Sequence, residues 1–247
     1  MDQGYGILHF LTQADAVGKA TIAILLLMSA GSWYVILMKL IQNALEARAT
    51  RRFMTAFRAT SSVAELAAQD RITAIDEPFA RLTADGISAA EHHRRHGAPR
   101  LPDTGPGELV SRALRQRVQL ETARRESGLT FLAATASSAP FIGLFGTVWG
   151  IYQALVHIGM SGQGTLDKVA GPVGEALVMT AAGLAVAIPA VLAYNFFVRA
   201  NRTLAGKLNA FSNELFTMLA TGARIGEAAV VEALRPPRGA ASVGRGV

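Results

Sequence analysis

The 247-residue sequence predicts an all-α membrane protein with three transmembrane helices and long cytoplasmic helical extensions. Three observations predict it. Three long stretches carry almost no charge, while charge is dense between them. Hydrophobic residues make up 51% of the chain and charged residues 17%, against about 25% charged in ordinary soluble domains. Lys and Arg concentrate in two of the segments that separate the apolar stretches, as membrane topology demands. A conventional soluble enzyme is excluded, and the apolar content excludes a disordered chain. With no cysteine there is no disulfide, no Cys-based metal site and no thiol nucleophile.

The first apolar run, Ala20 to Met38, lies between Lys19 and Lys39. About 20 helical residues cross a bilayer core, so this run is just long enough. Trp33 and Tyr34 sit near its far end, where interfacial aromatics are common. Ser29-Ala30-Gly31 offers small residues for signal-peptide cleavage. Against that reading, Asp2, Asp15 and Lys19 make the preceding segment net negative, and the apolar run continues past Gly31. The second run, Ser127 to Leu166, is free of Asp, Glu, Lys and Arg over forty residues. It predicts one span, with Gly159 to Gly164 as the turn that follows. The third run is Ala176 to Val198, ending at Arg199 and preceded by Asp167, Lys168 and Glu175. Pro140 and Pro189 inside these spans predict kinks whose freed carbonyls need partners.

Orientation follows from the basic residues. Lys39 to Glu126 holds fifteen Lys/Arg, the chain from Arg199 holds seven, and the turn after the second span holds only Lys168. The net charge of +6 therefore records topology rather than a nucleic-acid partner. The predicted layout is a periplasmic N-terminus (1–18), spans at 19–39, 128–158 and 169–198, and a periplasmic turn at 159–168. A helical cytoplasmic domain fills 40–127, and a cytoplasmic helix with a disordered tail fills 199–247.

In the cytoplasmic insertion, Leu45, Phe53 and Phe57 recur at helical spacing, so a helix runs on from the first span. Val63 to Ala68 and Phe79 to Ala90 are further helical candidates. His92 through Gly107 reads as a loop. Leu109 to Glu126 is helical again and leads straight into the second span. His92, His93 and His96 lack the carboxylate or Cys that a metal site would need at ligand spacing, so no metal is expected. Arg112, Arg115, Arg117, Arg124 and Arg125 are interleaved with Glu108, Glu121 and Glu126 and with no aromatics. They read as a charged cytoplasmic helix, possible to place against anionic lipid. After the third span, Leu204, Leu208, Phe211, Leu215 and Leu219 share one face of a helix reaching to Leu234.

Two faces carry information about function. In the second span Pro140, Gly143, Thr147 and Gly150 fall on one face, adjoined by Gly146. In the third span Ala176, Thr180, Gly183 and Ala187 do the same. Small faces let helix backbones approach closely in lipid, which a helix–helix seam alone explains. A pore wall is the other reading, with Thr147 and Thr180 supplying hydroxyls able to hold water or guide a proton. Glu175 also reads in two ways. It is an intramembrane acid able to bind and release a proton, or it is a first-turn acid after Gly171-Pro172 at a helix start. No phosphate loop, nucleophile elbow or zinc-protease motif is present, so no catalytic residue and no cofactor are expected.

The run Ser137-Ser138-Ala139-Pro140-Phe141-Ile142-Gly143-Leu144-Phe145-Gly146-Thr147-Val148-Trp149-Gly150-Ile151 resembles the second-span motif of the MotA/TolQ/ExbB proton-channel family. Gly174-Glu175-Ala176-Leu177, Thr180, Gly183-Leu184 and Ala187 to Val191 with Tyr194-Asn195 resemble its third-span motif. The match is close from Leu129 to Asn195 and lies in the ExbB/TolQ branch. Ala170-Gly171-Pro172-Val173-Gly174 departs from some members while keeping a proline among small residues. The resemblance implies a homopentamer in the inner membrane of a Gram-negative bacterium. Its pore would enclose the single transmembrane helices of an ExbD-like dimer, and the proton motive force would energise TonB. It also implies that Glu175 is the family's intramembrane acid and that Thr147 and Thr180 are its pore-lining hydroxyls. A TolQ-type subunit serving outer-membrane integrity is the alternative. A passive scaffold held by the small-residue seams is the rival from another class. A solute transporter is disfavoured, because three spans show no inverted repeat.

Overall fold

The computed structural model describes residues 15–59, 76–96, 106–161 and 166–221. These residues form five α-helices and no strand. They are α1 (Ala16–Ala59), α2 (Pro78–His96), α3 (Pro106–Glu126), α4 (Leu129–Ser161) and α5 (Leu166–Thr221). Three stretches, in α1, across α3–α4 and in α5, are long and apolar enough to cross a membrane. The all-α class and the three spans are therefore as the sequence predicts. The helical candidate Val63 to Ala68 and the chain beyond Thr221 lie outside the described residues.

The described residues divide into two compact units. One holds the chain up to Leu45 with Ala123–Leu204, and the other holds Glu46–Thr122 with the chain from Ala205.

The first unit turns apolar side chains outward. Leu27 is 73% exposed and Phe141 is 70% exposed. A continuous apolar surface of this kind suits lipid and is rare on soluble monomers. Inside, small side chains bring α4 and α5 together. A Cβ added to Gly143 would lie 2.6 Å from the Met179 carbonyl oxygen and 3.0 Å from the Gly183 Cα. One added to Gly183 would lie 2.6 Å from the Ala139 carbonyl oxygen. Two apolar clusters complete the interior. Leu25, Ala139 and Ala187 form one, and Ile36, Leu129, Leu132 and Phe197 form the other. α4 and α5 run unbroken through Pro140, Pro172 and Pro189.

The helix expected from Leu109 to Glu126 is α3, and it leads into the second span. The chain turns at Ser127-Gly128 between α3 and α4, and Gly128 has φ +80°. A residue with a side chain is strained in that left-handed conformation, so glycine is what lets the first helix end there. The carbonyl of Arg125, at the end of α3, accepts from Lys39 Nζ at 2.9 Å and from Asn201 Nδ2 at 3.0 Å. The Arg125 guanidinium donates to Asn43 Oδ1 at 2.8 Å.

The second unit has a different interior, built from large side chains. Phe53 and Phe57, four residues apart on α1, meet Phe211 of α5 at ring-centroid distances of 5.9 and 4.8 Å. Phe79 of α2 meets the same ring at 5.3 Å. Leu208, Leu215 and Met218 are buried with Phe211, so the face predicted for this helix points into the core, with Leu204 and Leu219 half-buried beside it. The loop expected from His92 is also corrected, because α2 continues through His96. The Glu91–Arg95 pair, one turn apart at 3.0 Å, and the helix-forming Ala89-Ala90 support that last turn.

Charges in this unit link α2 to α3. Glu121 is buried and lies 3.0 Å from Arg81 and 3.7 Å from Arg117. Arg81 also pairs with Asp76 at 2.7 Å, and Arg117 with Asp85. Glu77 is fully buried at the start of α2, where its carboxylate accepts from the Ala80 N–H and the Thr50 hydroxyl. Burial pushes its pKa up, and those two hydrogen bonds oppose the rise.

Candidate functional site

The two small faces meet within one chain, and this contact builds the site. Gly143 and Gly183 set the distance between α4 and α5. One turn further along α4, Thr147 Oγ1 lies within hydrogen-bond distance of Thr180 Oγ1. The same Thr147 oxygen lies 3.1 Å from the Gly143 carbonyl and 3.2 Å from the Ala176 carbonyl. Thr147 has one proton to give, and carbonyls only accept. Thr147 therefore gives its proton either to a carbonyl or to Thr180, and either hydroxyl can be the donor between the two. The pair spans from half-exposed Thr180 to buried Thr147. The lone pairs of Thr180 Oγ1 stay available on its exposed side.

The remaining small residues hold this pair in place. Ala176, 3% exposed, sits against Gly150, whose added Cβ would come within 3.0 Å of the Ala176 Cβ. A Cβ added to Gly146 would lie 3.2 Å from the Met179 Cβ and 3.0 Å from the Thr21 methyl of α1. Ala187 is buried with Leu25 and Ala139, and Pro140 is half-buried beside them. So Gly143, Gly146, Gly150, Ala176, Gly183 and Ala187 are engaged inside the protomer.

Glu175 is half-buried, and neither threonine hydroxyl bonds to it. It precedes Thr180 by five residues, which places it about 7.5 Å along the axis and about 140° round the helix. The helix-start reading is corrected, because α5 begins at Leu166 and Pro172 lies inside it. Glu175 is therefore past the first turn, where an acid gains little from exposed N–H groups.

A second polar contact went unread in the sequence. Asp15 caps α1, accepting from the Gly18 N–H at 2.8 Å. Its other oxygen accepts from the Trp149 indole at 2.7 Å and from Gln153 at 3.3 Å, tying α1 to α4. The Gly18 N–H, then the Trp149 indole, hold its carboxyl below the usual range. The spacing Asp15-x-x-Gly18 before an apolar run was a readable cap, but a partner 134 residues away was not. Among the described residues, no group of three or more His, Cys, Asp or Glu could hold a metal ion.

Three apolar spans whose second and third members meet through glycines around a threonine pair define a multi-pass membrane protein. The model of the MotA/TolQ/ExbB proton channel family matches residues 74–210, and the chain belongs to that family. It is 41% identical over 239 residues to "Biopolymer transport protein ExbB" of Xanthomonas campestris pv. campestris (strain B100), covering 89% of this chain and 90% of that protein. It is 39% identical over 206 residues to the protein of the same name in Neisseria gonorrhoeae, covering 83% and 93%. "Tol-Pal system protein TolQ" of Pseudomonas aeruginosa is more distant, at 35% over 178 residues and 62% of this chain. With its three spans, the chain is a multi-pass inner-membrane protein of Gram-negative type.

Proposed function

We propose that the chain is the ExbB-type subunit of a proton-driven motor that energises TonB-dependent transport across the outer membrane. In this reading five copies enclose the transmembrane helices of an ExbD-like dimer. The N-terminus is periplasmic, and the insertion and C-terminus are cytoplasmic. The similarity to ExbB proteins over most of the chain supports the TonB role over the Tol role.

The observation that carries a proton-linked mechanism is the hydrogen-bonded pair of half-exposed Thr180 and buried Thr147. In this reading Thr180 donates inward to Thr147 in the resting pair. A protonated partner carboxyl can donate to the free lone pairs of Thr180 and leave the seam undisturbed. Once it loses its proton, that carboxylate needs a donor. Thr180 then turns its hydrogen outward and gives up its bond to Thr147. The pair thus distinguishes the two protonation states of a partner acid, without itself ionising. Glu175, on a different face, relays the proton or sets the potential beside it.

The test is complementation in a bacterium lacking its own ExbB and TolQ systems, with the cognate partner subunits co-expressed. Wild type is expected to restore growth on iron–siderophore. Glu175→Gln and Thr180→Val are expected to abolish that growth while leaving assembly intact. Full activity in both variants would remove the proton-path assignment. Rescue of bile-salt tolerance alone would make the chain a TolQ-type subunit. Activity that survives Glu175→Gln but not a bulky residue at Gly146 or Gly183 would favour a passive scaffold.

A further inference from the structure

On one flank of the membrane unit, α1 and α4 leave a groove between them. Its volume is about 770 Å³, and its lining includes Ala16, Ala20 and Thr21 of α1 and Ser137, Ser138 and Phe141 of α4. No lining residue is charged. The lining differs from the apolar surface beside it, where α1 exposes large side chains such as Leu26 and Tyr34. The groove instead offers two alanines one turn apart and three hydroxyls. In lipid, small residues let a second helix approach closely, and Ser and Thr collect at such contacts. Close-packed interiors leave few voids larger than a water molecule, so a groove of this size is where another helix packs.

The opposite flank carries a surface that matches it. Ala181, Leu184, Ala185 and Ile188 are exposed on α5. Gly183 faces α4, and Ala181 and Ile188 lie about 140–160° round the helix from it. On α4, Phe141 of the groove likewise lies about 160° round from Gly143. The exposed α5 face therefore points away from the groove of its own chain. The two surfaces nevertheless lie at one depth. Ala139 and Ala187 share an apolar cluster, so their sequence neighbours Ser138 and Ile188 are level with each other. Rotation about an axis normal to the membrane keeps every residue at its depth, so a ring of copies sets Ile188 of one against Ser138 of the next.

We propose that the α1–α4 groove seats a second copy of this chain, filled by the Ala181–Ile188 face of that copy's α5. The contact is heterologous, groove on one copy and ridge on the next, and such contacts close into rings. Thr180 lies about 60° round α5 from Gly183, on the short arc between the helix's own α4 and the next copy. In a ring that arc faces the centre, so the same contact turns Thr180 toward the axis. The inference rests on the multi-copy reading above and names the surfaces through which the copies meet.

The experiment uses the absence of cysteine from the chain. Ser138→Cys and Ile188→Cys are combined in the full chain, co-expressed with the partner subunits, and oxidised in native membranes. A disulfide forms only where Cα atoms come within about 7 Å. The control pair is Leu26→Cys with Ile188→Cys. Leu26 is 63% exposed and adjoins Leu25 of the same cluster, but does not line the groove. The expected result is a ladder of cross-linked species from the first pair that ends at a closed ring, with none from the control or from either single cysteine. The inference is overturned if the first pair gives no ladder while native mass shows several assembled copies, because the groove then holds lipid or a partner's helix. An equal ladder from the control overturns it too. A native mass of one copy would instead remove the multi-copy reading, and this inference with it.

Discussion

The two units of this chain solve helix packing in opposite ways. In the membrane unit the closest contacts are backbone on backbone, with Gly143 facing Gly183 and no side chain between them. In the second unit the contacts are ring on ring, with Phe211 touching Phe53, Phe57 and Phe79. The solvent accounts for the difference. Water expels large apolar side chains, so large rings stabilise an interior surrounded by it. Lipid tails are as apolar as leucine and expel nothing, so helices associate through close van der Waals contact and hydrogen bonds. The polar groups divide in the same way. The second unit carries the chain of pairs Asp76–Arg81–Glu121–Arg117–Asp85, whereas the interior of the first uses hydroxyls and a helix-end carbonyl.

This contrast is sharpest under mutation of the residue each unit leans on. Phe211→Ala removes the ring shared by three aromatic contacts and is expected to cost about 3–5 kcal/mol. Thermal unfolding followed on the second unit would measure it, and an unchanged midpoint would break the comparison. Gly183→Val places methyl groups where even a Cβ meets the Ala139 carbonyl at 2.6 Å. Overpacking of this kind costs about 1–3 kcal/mol, read as loss of extractable assembled protein on heating. Gly206→Ala is its control. Nothing lies within 4 Å of a Cβ at Gly206, so alanine there is expected to stabilise the helix by about 1 kcal/mol.

Two acids, one from each unit, give the smallest and most discriminating effect. The carboxyl of Asp15 is held below its ordinary value of 3.8, so its contribution is present above that pH and is lost as acid protonates it. Glu77 is raised above its ordinary 4.5 by burial, so its contribution is complete below that pH and is lost as pH rises through the folded-state value. At neutral pH, Asp15→Asn is expected to be less stable than wild type by about 0.3–1 kcal/mol, the usual worth of a charge at a helix N-terminus. Glu77→Gln keeps both an acceptor and a donor and is expected to be the more stable protein at neutral pH. Both differences should close on acidification, from opposite sides, in unfolding temperatures measured against pH. Two differences of the same sign would show that the capping acids of the two units are not distinguished by burial.

Much of the fold was legible because it rests on local pattern. An uncharged run of adequate length has few options other than a span, and small residues three and four apart have to share a helix face. The same periodicity brought Thr147 and Thr180 into view, and an ionisable residue beside the third apolar run singled out Glu175. Helix ends were less legible. α2 ran on through His96, and α5 began well before Pro172. Each end depends on a few tenths of a kcal/mol from caps and neighbouring pairs, which packing readily outweighs.

The order of apolar and charged segments already determined that this chain is helical and crosses the membrane three times, and the residues of its second and third spans already resembled the family's motifs. Only the folded chain decided what its polar atoms do. It brought the Thr180 hydroxyl against Thr147 and tied Asp15 to Trp149. Periodicity is a property of neighbours in sequence, so it can be read along the chain. Hydrogen-bond partners are selected by approach to within about 3 Å of groups that are distant in sequence. Here that approach is possible only where glycine and alanine let the helices meet.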